Sequence, residues 1–167
     1  LGRRVELSSF QNTEALGQLS ERFPPEPTIF YENKEYVKKR NLTTILFMGV
    51  AKSNAAQEGT STNFRNGGQA DFLMLMVMDP QDKTVTQLHI DRDTMTEITV
   101  LGVLGNAAGT RRAQICLSHG FGDGHEQSCG YTVEAVQRLL YGSDIDFYVA
   151  MNLDGIPVAN DAVGGVE

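Results

Sequence analysis

The sequence has no surplus of positive charge. Fourteen Lys and Arg residues stand against twenty-one Asp and Glu residues, which gives a net charge of -7. No window of the sequence carries the cluster of Lys and Arg that neutralises a nucleic-acid backbone. We therefore expect no nucleic-acid partner.

Long apolar runs are also missing. The longest, residues 45–50 and 72–78, are far shorter than the roughly 20 residues that a membrane-spanning helix needs. We therefore expect this chain to be soluble. It starts at Leu1 rather than Met, so we expect that an upstream segment has been removed, and the lack of a signal or anchor in these residues says nothing about the native protein.

Cysteine is scarce, with two residues in a chain of 167. A chain of this length can bury a core without disulfides. Its 41% hydrophobic and 21% charged residues are typical of a globular protein. These values predict one domain, whole or partial.

Residues 1–40 are predicted to form an accessory or linker segment. Asn12 or Thr13 can cap a short helix that carries Leu16 and Leu19 on one face. A Pro-Pro pair then ends this helix.

Residues 41–167 are predicted to form the main domain. TTILFMGV predicts a buried strand, and DFLMLMVMDPQDKTVTQLHI predicts an antiparallel hairpin after a polar loop over residues 51–69. A glycine-rich loop then precedes a helix with Val133 and Val136 on one face, and DFYVAMNL and DGIPVANDAVGG predict a strand and a helix. This order predicts an α/β domain, an α+β sandwich with a mixed central sheet covered by helices.

Five segments of this domain match the motifs of one family in order and spacing. They are ILFMGVA, QADFLMLMVMDP, LHIDRDT, ICLSHGFGDG and LLYGSDIDFYVAMNLDGIPVANDAVGGV. Together they resemble LGxD, R-S-D with N-P, P-R-D, INxAYAxGG and LLGxxIDxYxxxNxxGxxxLxDAxGGV, the motifs of the LytR-CpsA-Psr family. The last segment is the most specific. The resemblance also implies that a C-terminal part of the family domain is absent from this sequence.

The resemblance implies an enzyme of the cell envelope. It implies an apolar tunnel that holds a polyprenyl lipid, with a pyrophosphate at its mouth bound by arginines and Mg²⁺. The reaction would transfer a phospho-glycopolymer from the lipid carrier to peptidoglycan. The resemblance further implies an N-terminal membrane anchor outside this chain, on the extracytoplasmic face of a bacterial membrane of Gram-positive type.

Arg92 matches the arginine of P-R-D, with Asp91 in place of the proline. The resemblance implies that Arg92 binds the pyrophosphate, and its guanidinium offers the planar fork of donors that phosphate oxygens require. Asp93 is expected to orient Arg92 or to take a proton from the acceptor hydroxyl. Without the family, a solvated surface bridge between Arg92 and Asp91 or Asp93 is the more common arrangement.

Asp71 matches the aspartate of R-S-D, and the resemblance implies that it is a ligand of Mg²⁺. Alone it could equally be a strand cap or a turn residue. Ala51 stands where LGxD has its aspartate, and Gln69 stands where R-S-D has its arginine. We therefore expect one metal ligand and one phosphate donor of the family to be missing.

Two further arginines are candidates for the pyrophosphate site. Arg65 lies in the polar loop, and Arg112, next to Arg111, precedes ICLSHGFG, where Gln114 occupies a position that is often lysine in the family. Solvated surface arginines are the alternative for both.

Three methionines, Met74, Met76 and Met78, alternate along the strand with apolar residues, so both of its faces are expected to be buried. Flexible thioethers suit a tunnel for an isoprenoid chain, although methionines more commonly fill ordinary cores. We assign them to the lipid tunnel.

The spacing C-x2-H-x5-H-x3-C brings together Cys116, His119, His125 and Cys129. It does not match a standard zinc finger, although all four residues can bind zinc. In an extracytoplasmic protein we favour a Cys116–Cys129 disulfide over zinc or free thiols.

These observations predict a Mg²⁺-dependent glycopolymer phosphotransferase. A non-catalytic protein that binds the polyprenyl lipid is the alternative, because Ala51 and Gln69 depart from the motifs. A regulatory attenuator of transcription fits the acidic charge poorly.

Overall fold

The computed structural model describes residues 28–51, 67–102 and 105–166. The chain divides into two compact units, Leu1–Leu42 and Thr43–Glu167. The helix predicted before the Pro-Pro pair and most of the predicted polar loop lie outside the described residues.

In the first unit, the described residues contain an antiparallel hairpin of β1 (Thr28–Tyr31) and β2 (Lys34–Val37). Glu32 and Asn33 form its turn with positive φ angles of 49° and 58°, as two-residue turns that match strand twist require. The sequence predicts an accessory or linker segment here and no strands. The strands were missed because their short apolar runs do not alternate clearly.

The second unit is built on a mixed sheet of four strands. Its members are β3 (Thr43–Val50), β4 (Ala70–Asp79), β5 (Thr84–Ile90) and β8 (Phe147–Asn152), in the order β5-β4-β3-β8. Strand β3 pairs parallel with β8 and antiparallel with β4, and β4 pairs antiparallel with β5. The predicted mixed sheet and its hairpin are confirmed.

The turn of this hairpin is held by a buried carboxylate. Asp79 Oδ1 accepts hydrogen bonds from the backbone N–H groups of Gln81 and Asp82, at 3.0 and 3.1 Å. An aspartate that bonds the backbone two residues ahead stabilises a turn. The turn predicted at these residues is confirmed.

The other described elements of the second unit are a further hairpin and three helices. Strands β6 (Met95–Leu101) and β7 (Ala107–Gln114) pair antiparallel, followed by α1 (Leu117–Gly120), α2 (Glu126–Leu139) and, after β8, α3 (Gly155–Ala162). The sequence did not predict β6 and β7. Their side chains lack a continuous apolar alternation, and β7 is almost entirely exposed.

One face of the mixed sheet is buried. Leu46 and Leu73 have no exposed surface there, and they join Ala135 and Val136 of α2 in the hydrophobic core. Removing this apolar surface from water contributes about 25 cal/mol per Å². The predicted helical cover is therefore present on this face.

The opposite face is only partly covered by the described residues. Met74, Met76 and Met78 are half-buried, and Phe72 and Met151 keep 45% and 38% of their surface exposed. The expectation that both faces of β4 are buried is therefore wrong for this part of the chain. Among the described residues, no helix combines the length and apolar character needed to cross a membrane.

Hydrogen bonds between side chain and backbone join the parallel strands β3 and β8 where both strands begin. The backbone N–H of Thr44 donates to Asp146 Oδ2 at 2.8 Å, and the backbone N–H of Asp146 donates to Thr44 Oγ1 at 2.9 Å. These reciprocal bonds join residues 102 positions apart. They therefore help to set the register of β8 against β3.

We expect Asp146→Ala to lower the free energy of unfolding by about 1 kcal/mol, because the Thr44 N–H loses its acceptor. Asp146→Asn keeps a carbonyl oxygen and should recover part of the loss. Chemical denaturation measures both changes. Asp161→Ala, an exposed aspartate of α3, serves as control, and equal stability of Asp146→Ala and wild type would contradict the role of this bond.

Candidate functional site

Arg92 lies in the turn between β5 and β6 and contacts residues at the start of β4. Its Nη1 forms a salt bridge with Asp71 Oδ1, and its Nη2 donates a hydrogen bond of 2.8 Å to Gln69 Oε1. Its Nε lies 3.8 Å from Asp93 Oδ1. We call these four residues the Arg92 cluster. The structure therefore brings together three residues predicted for the site, and it adds Gln69.

The backbone of Cys116 joins the two segments that carry this cluster. Its N–H donates to the carbonyl oxygen of Arg92 at 3.2 Å, and its own carbonyl oxygen accepts from the N–H of Ala70 at 3.1 Å. One residue between β7 and α1 therefore holds the Arg92 turn beside the first residue of β4.

A β-bulge sets the position of Asp71. Val50 pairs with Ala70 whereas Gly49 pairs with Phe72, so Asp71 is the extra residue of β4. A bulge turns side chains away from the regular alternation of a strand. Ala70 consequently joins the core with Leu73, and the Asp71 carboxylate reaches Arg92.

Asp93 is held by two neighbours. Gln114 Nε2 donates to Asp93 Oδ1 at 2.9 Å, and the backbone N–H of Asp93 donates to Asp91 Oδ1 at 2.8 Å. Sequence reasoning missed this role of Gln114, although it noted that the position is often lysine in the family. A neutral amide therefore contacts Asp93 in this chain.

The ion pair at the centre of the cluster remains accessible to solvent. The side chains of Arg92 and Asp71 keep 43% and 36% of their surface exposed. Such pairs contribute only about 0–1 kcal/mol. An anionic ligand could therefore replace Asp71 on the guanidinium at little cost.

An apolar groove of about 270 Å³ lies on the partly covered face of the sheet. It is lined by Phe47, Met48, Gly49, Phe72, Met74, Val149, Met151 and Ile156. A Cβ atom at Gly49 would lie 2.9 Å from the Cβ of Phe72, so a glycine is needed for these strands to place Phe72 there. Met74 lines the groove, and Met76 and Met78 are not among its lining residues.

The sequence model of the LytR_cpsA_psr family matches residues 8–167. The chain belongs to this family. The match starts before residue 41, and so it includes most of residues 1–40, the segment predicted to be an accessory or a linker.

Relatives of known name are similar to the chain over part of their length. The polyisoprenyl-teichoic acid–peptidoglycan teichoic acid transferase TagU of Halalkalibacterium halodurans is 31% identical over 61% of this chain and 29% of its own length. TagV of Bacillus subtilis, named as the same kind of transferase, is 30% identical over 77% of this chain and 28% of its own length. The chain thus spans less than a third of these relatives.

A solved structure is similar in fold. Protein gbs0355 of Streptococcus agalactiae superposes with a TM-score of 0.52 at 24% identity, over 75% of this chain and 38% of its own. This likeness supports the fold of this LytR-CpsA-Psr chain and carries no statement about its activity.

Of the other two arginine candidates, only Arg112 belongs to the described residues, and it does not join the Arg92 cluster. Arg65 lies outside the described residues. Arg112 is exposed on β7, where it pairs across the hairpin with Glu97, and its neighbour Arg111 lies over the ring of Phe121, 5.9 Å from the centroid. The pyrophosphate role of Arg65 and Arg112 stays a prediction.

The predicted Cys116–Cys129 disulfide is wrong for this structure, because both residues are buried free thiols. They contact different partners: Cys116 Sγ lies 3.9 Å from Arg92 Nη2, and Cys129 Sγ lies 3.8 Å from His119 Nε2. Spacing along the sequence could not show that the two sulfurs have separate environments.

The alternative zinc site is not formed either. His119 is buried, with Nδ1 2.7 Å from the carbonyl oxygen of Gly67, and His125 is exposed at the start of α2. Within residues 28–51, 67–102 and 105–166, no three His, Cys, Asp or Glu side chains are placed to hold a metal ion.

We expect both thiols to react slowly with iodoacetamide at pH 8 in the native protein. Burial raises the pKa of Cys116 despite the opposing charge of Arg92, and burial together with the charge of Asp123 raises the pKa of Cys129. Both groups therefore stay protonated and unreactive at this pH.

Mass spectrometry after labelling, without reductant, tests this expectation. Unfolding in urea should make both thiols react rapidly, and a small thiol in the same buffer is the control. Failure of both cysteines to label in urea would show that a disulfide exists after all.

Proposed function

We propose that this chain is part of an enzyme that transfers a phospho-glycopolymer from a polyprenyl-pyrophosphate carrier to peptidoglycan. The observation that carries this proposal is that Asp71 of the Arg92 cluster is followed directly along β4 by Phe72, which lines the apolar groove. Membership of the LytR-CpsA-Psr family and the transferase names of TagU and TagV support it. In this proposal the domain works on the extracytoplasmic face of the membrane, with an anchor outside this chain.

The two sites lie close together along β4. Asp71 belongs to the cluster, whereas the next residue, Phe72, lines the groove, as does Met74. Successive residues of a strand rise by about 3.3 Å, so Asp71 and Met74 lie about 10 Å apart. This arrangement suits a ligand with a charged head and an apolar chain, such as a polyprenyl pyrophosphate.

In the proposed reaction, an acceptor hydroxyl oxygen attacks the phosphorus that carries the glycan. A new bond forms between that oxygen and phosphorus, and the bond from phosphorus to the bridging oxygen breaks, so that polyprenyl phosphate leaves. Asp93 takes the hydroxyl proton. Arg92 binds the departing phosphate, where a charge-assisted fork of donors strengthens as negative charge develops.

The charges of the cluster fit Mg²⁺ held together with substrate. Asp71 and Asp93 supply two carboxylates against one guanidinium, and magnesium commonly binds one or two carboxylates plus phosphate oxygens. When bound, Mg²⁺ would neutralise charge on the pyrophosphate. Ala51 offers no further carboxylate, so the protein alone should hold the ion weakly.

A specific observation favours a second candidate function. Ala51 and Gln69 are neutral at motif positions that are charged in the family, which would suit a protein that binds the lipid without turnover. Binding and transfer must therefore be measured separately.

We expect Arg92→Ala to lower transfer of lipid-linked glycan to peptidoglycan by roughly 10² or more, because donors to the developing charge are lost. Arg92→Lys should rescue only part, since a point charge does not reproduce a bidentate fork. The assay uses the full-length protein and radiolabelled lipid-linked glycan.

Lys83→Ala is the matched control, because this cation lies at the opposite end of β4, in the turn to β5. Binding of the lipid by wild type without transfer or pyrophosphate cleavage would establish the non-catalytic alternative. Equal transfer by Arg92→Ala and wild type would show that the pyrophosphate binds elsewhere.

We also expect Mg²⁺ to bind weakly to the free protein and more tightly when a polyprenyl-pyrophosphate analogue supplies oxygens. Asp71→Asn should reduce this gain, because the amide carries no charge. Isothermal calorimetry with and without the analogue measures the affinity for Mg²⁺. Tight Mg²⁺ binding by ligand-free protein would contradict the proposal, since it would require a carboxylate outside the cluster.

A further inference from the structure

A second pocket, of about 310 Å³, lies beside the Arg92 cluster. We call it the Phe121 pocket; it is lined by Ala51, Gly68, Gln69, Leu117, Gly120 and Phe121. Each of these lining residues is neutral. They offer neither a cation for a phosphate nor a carboxylate for a metal ion.

Two neutral lining residues, Ala51 and Gln69, come directly after the end of β3 and directly before the start of β4, which lie side by side. The backbone N–H of Ala51 donates to the carbonyl oxygen of Gln69 at 2.9 Å, so the two residues meet directly. In the family motifs these positions carry opposite charges. Here both are neutral, so these two exposed positions add no charge to the described lining of the pocket.

Gln69 links the pocket to Arg92. Its side-chain oxygen accepts the hydrogen bond from Arg92 Nη2, which leaves the amide nitrogen of Gln69 as a donor. A group in the pocket that accepts from this nitrogen would therefore lie one side chain away from the guanidinium proposed to bind pyrophosphate.

Phe121 forms an apolar part of the pocket lining. The ring is half-buried, and the guanidinium of Arg111 lies over it, 5.9 Å from the centroid. A cation over an aromatic face stabilises the ring's position. Leu117, from the first turn of α1, adds a second apolar side chain.

We propose that the Phe121 pocket binds the sugar ring adjoining the pyrophosphate. A sugar is neutral, with an apolar C–H face that suits Phe121 and Leu117, and with hydroxyl groups that suit Gln69 and the backbone of Gly68 and Gly120. The proposal rests on the proposed function, because Arg92 must bind the pyrophosphate next to this ring. It adds Phe121 as a residue that determines specificity.

The test compares UDP-N-acetylglucosamine with UDP, two soluble probes that share a pyrophosphate and differ by one sugar. With Mg²⁺ present, calorimetry on the 167-residue chain should show about tenfold tighter binding of the sugar-bearing probe, as expected for one stacked ring with its hydrogen bonds. Phe121→Leu should abolish this difference while UDP binding is unchanged. Phe121→Tyr, which keeps the ring, should retain it.

Two controls separate this proposal from the proposed function. Arg92→Ala should weaken both probes alike, and Phe30→Leu, a change of an exposed phenylalanine in the first unit, should alter neither. Equal affinity of wild type for both probes, or a sugar-dependent gain that survives in Phe121→Leu, would overturn the sugar pocket while the pyrophosphate site stands. Failure of Arg92→Ala to weaken UDP would instead count against the pyrophosphate site and the inference that rests on it.

Discussion

The two backbone hydrogen bonds of Cys116 are the constraint on which the candidate site depends. Its N–H binds the carbonyl of Arg92 and its carbonyl binds the N–H of Ala70, so the turn after β5 and the start of β4 are held by a single residue. Backbone bonds between buried groups are costly to break, because each polar group would be left without a partner. The sulfur of Cys116 is buried against Arg92, and this packing adds to the same junction. The side chains of Arg92 and Asp71 are exposed, whereas backbone hydrogen bonds attach their segments to the fold.

The backbone of the cluster is held by hydrogen bonds, whereas the charged side chains are exposed to solvent. This arrangement suits the replacement of Asp71 on Arg92 by an anionic ligand. An exposed ion pair contributes about 0–1 kcal/mol, so a phosphate that competes with Asp71 for Arg92 gives up little stability. Charge-assisted bonds from a guanidinium fork to phosphate are stronger. The carboxylate released from Arg92 is then available to a cation that arrives with the ligand. The two carboxylates of Asp71 and Asp93 outnumber the one guanidinium of Arg92, and this excess of negative charge favours a divalent cation that binds together with the pyrophosphate.

Apolar runs and helical spacing in the sequence predicted much of the fold. They could not predict which residues from distant segments come into contact. TTILFMGV and the apolar half of β4 predicted buried strands, and the helical spacing of Val133 and Val136 predicted α2. Strand β7, AAGTRRAQ, was missed because its exposed residues carry no alternation. Arg92 and Asp71 were found through motifs, but their pairing depends on the Cys116 junction and could not be predicted. The sequence showed only that Gln69 stands where the family motif has an arginine. Its role as hydrogen-bond acceptor for Arg92 could not be predicted, because the position of Arg92 was not known.

The bulge at Asp71 explains how one strand serves two kinds of surface. With strict alternation, Ala70 would share a face with Phe72 and Met74, and Leu73 would lie opposite. The extra residue instead puts Ala70 in the core with Leu73, which lets Phe72 line the groove while Asp71 turns to Arg92. Gly49 completes this arrangement, because any larger side chain would collide with Phe72 across the strand pair. A polar site and an apolar groove can therefore follow each other within four residues of β4, and this close succession is what an amphiphilic lipid carrier requires.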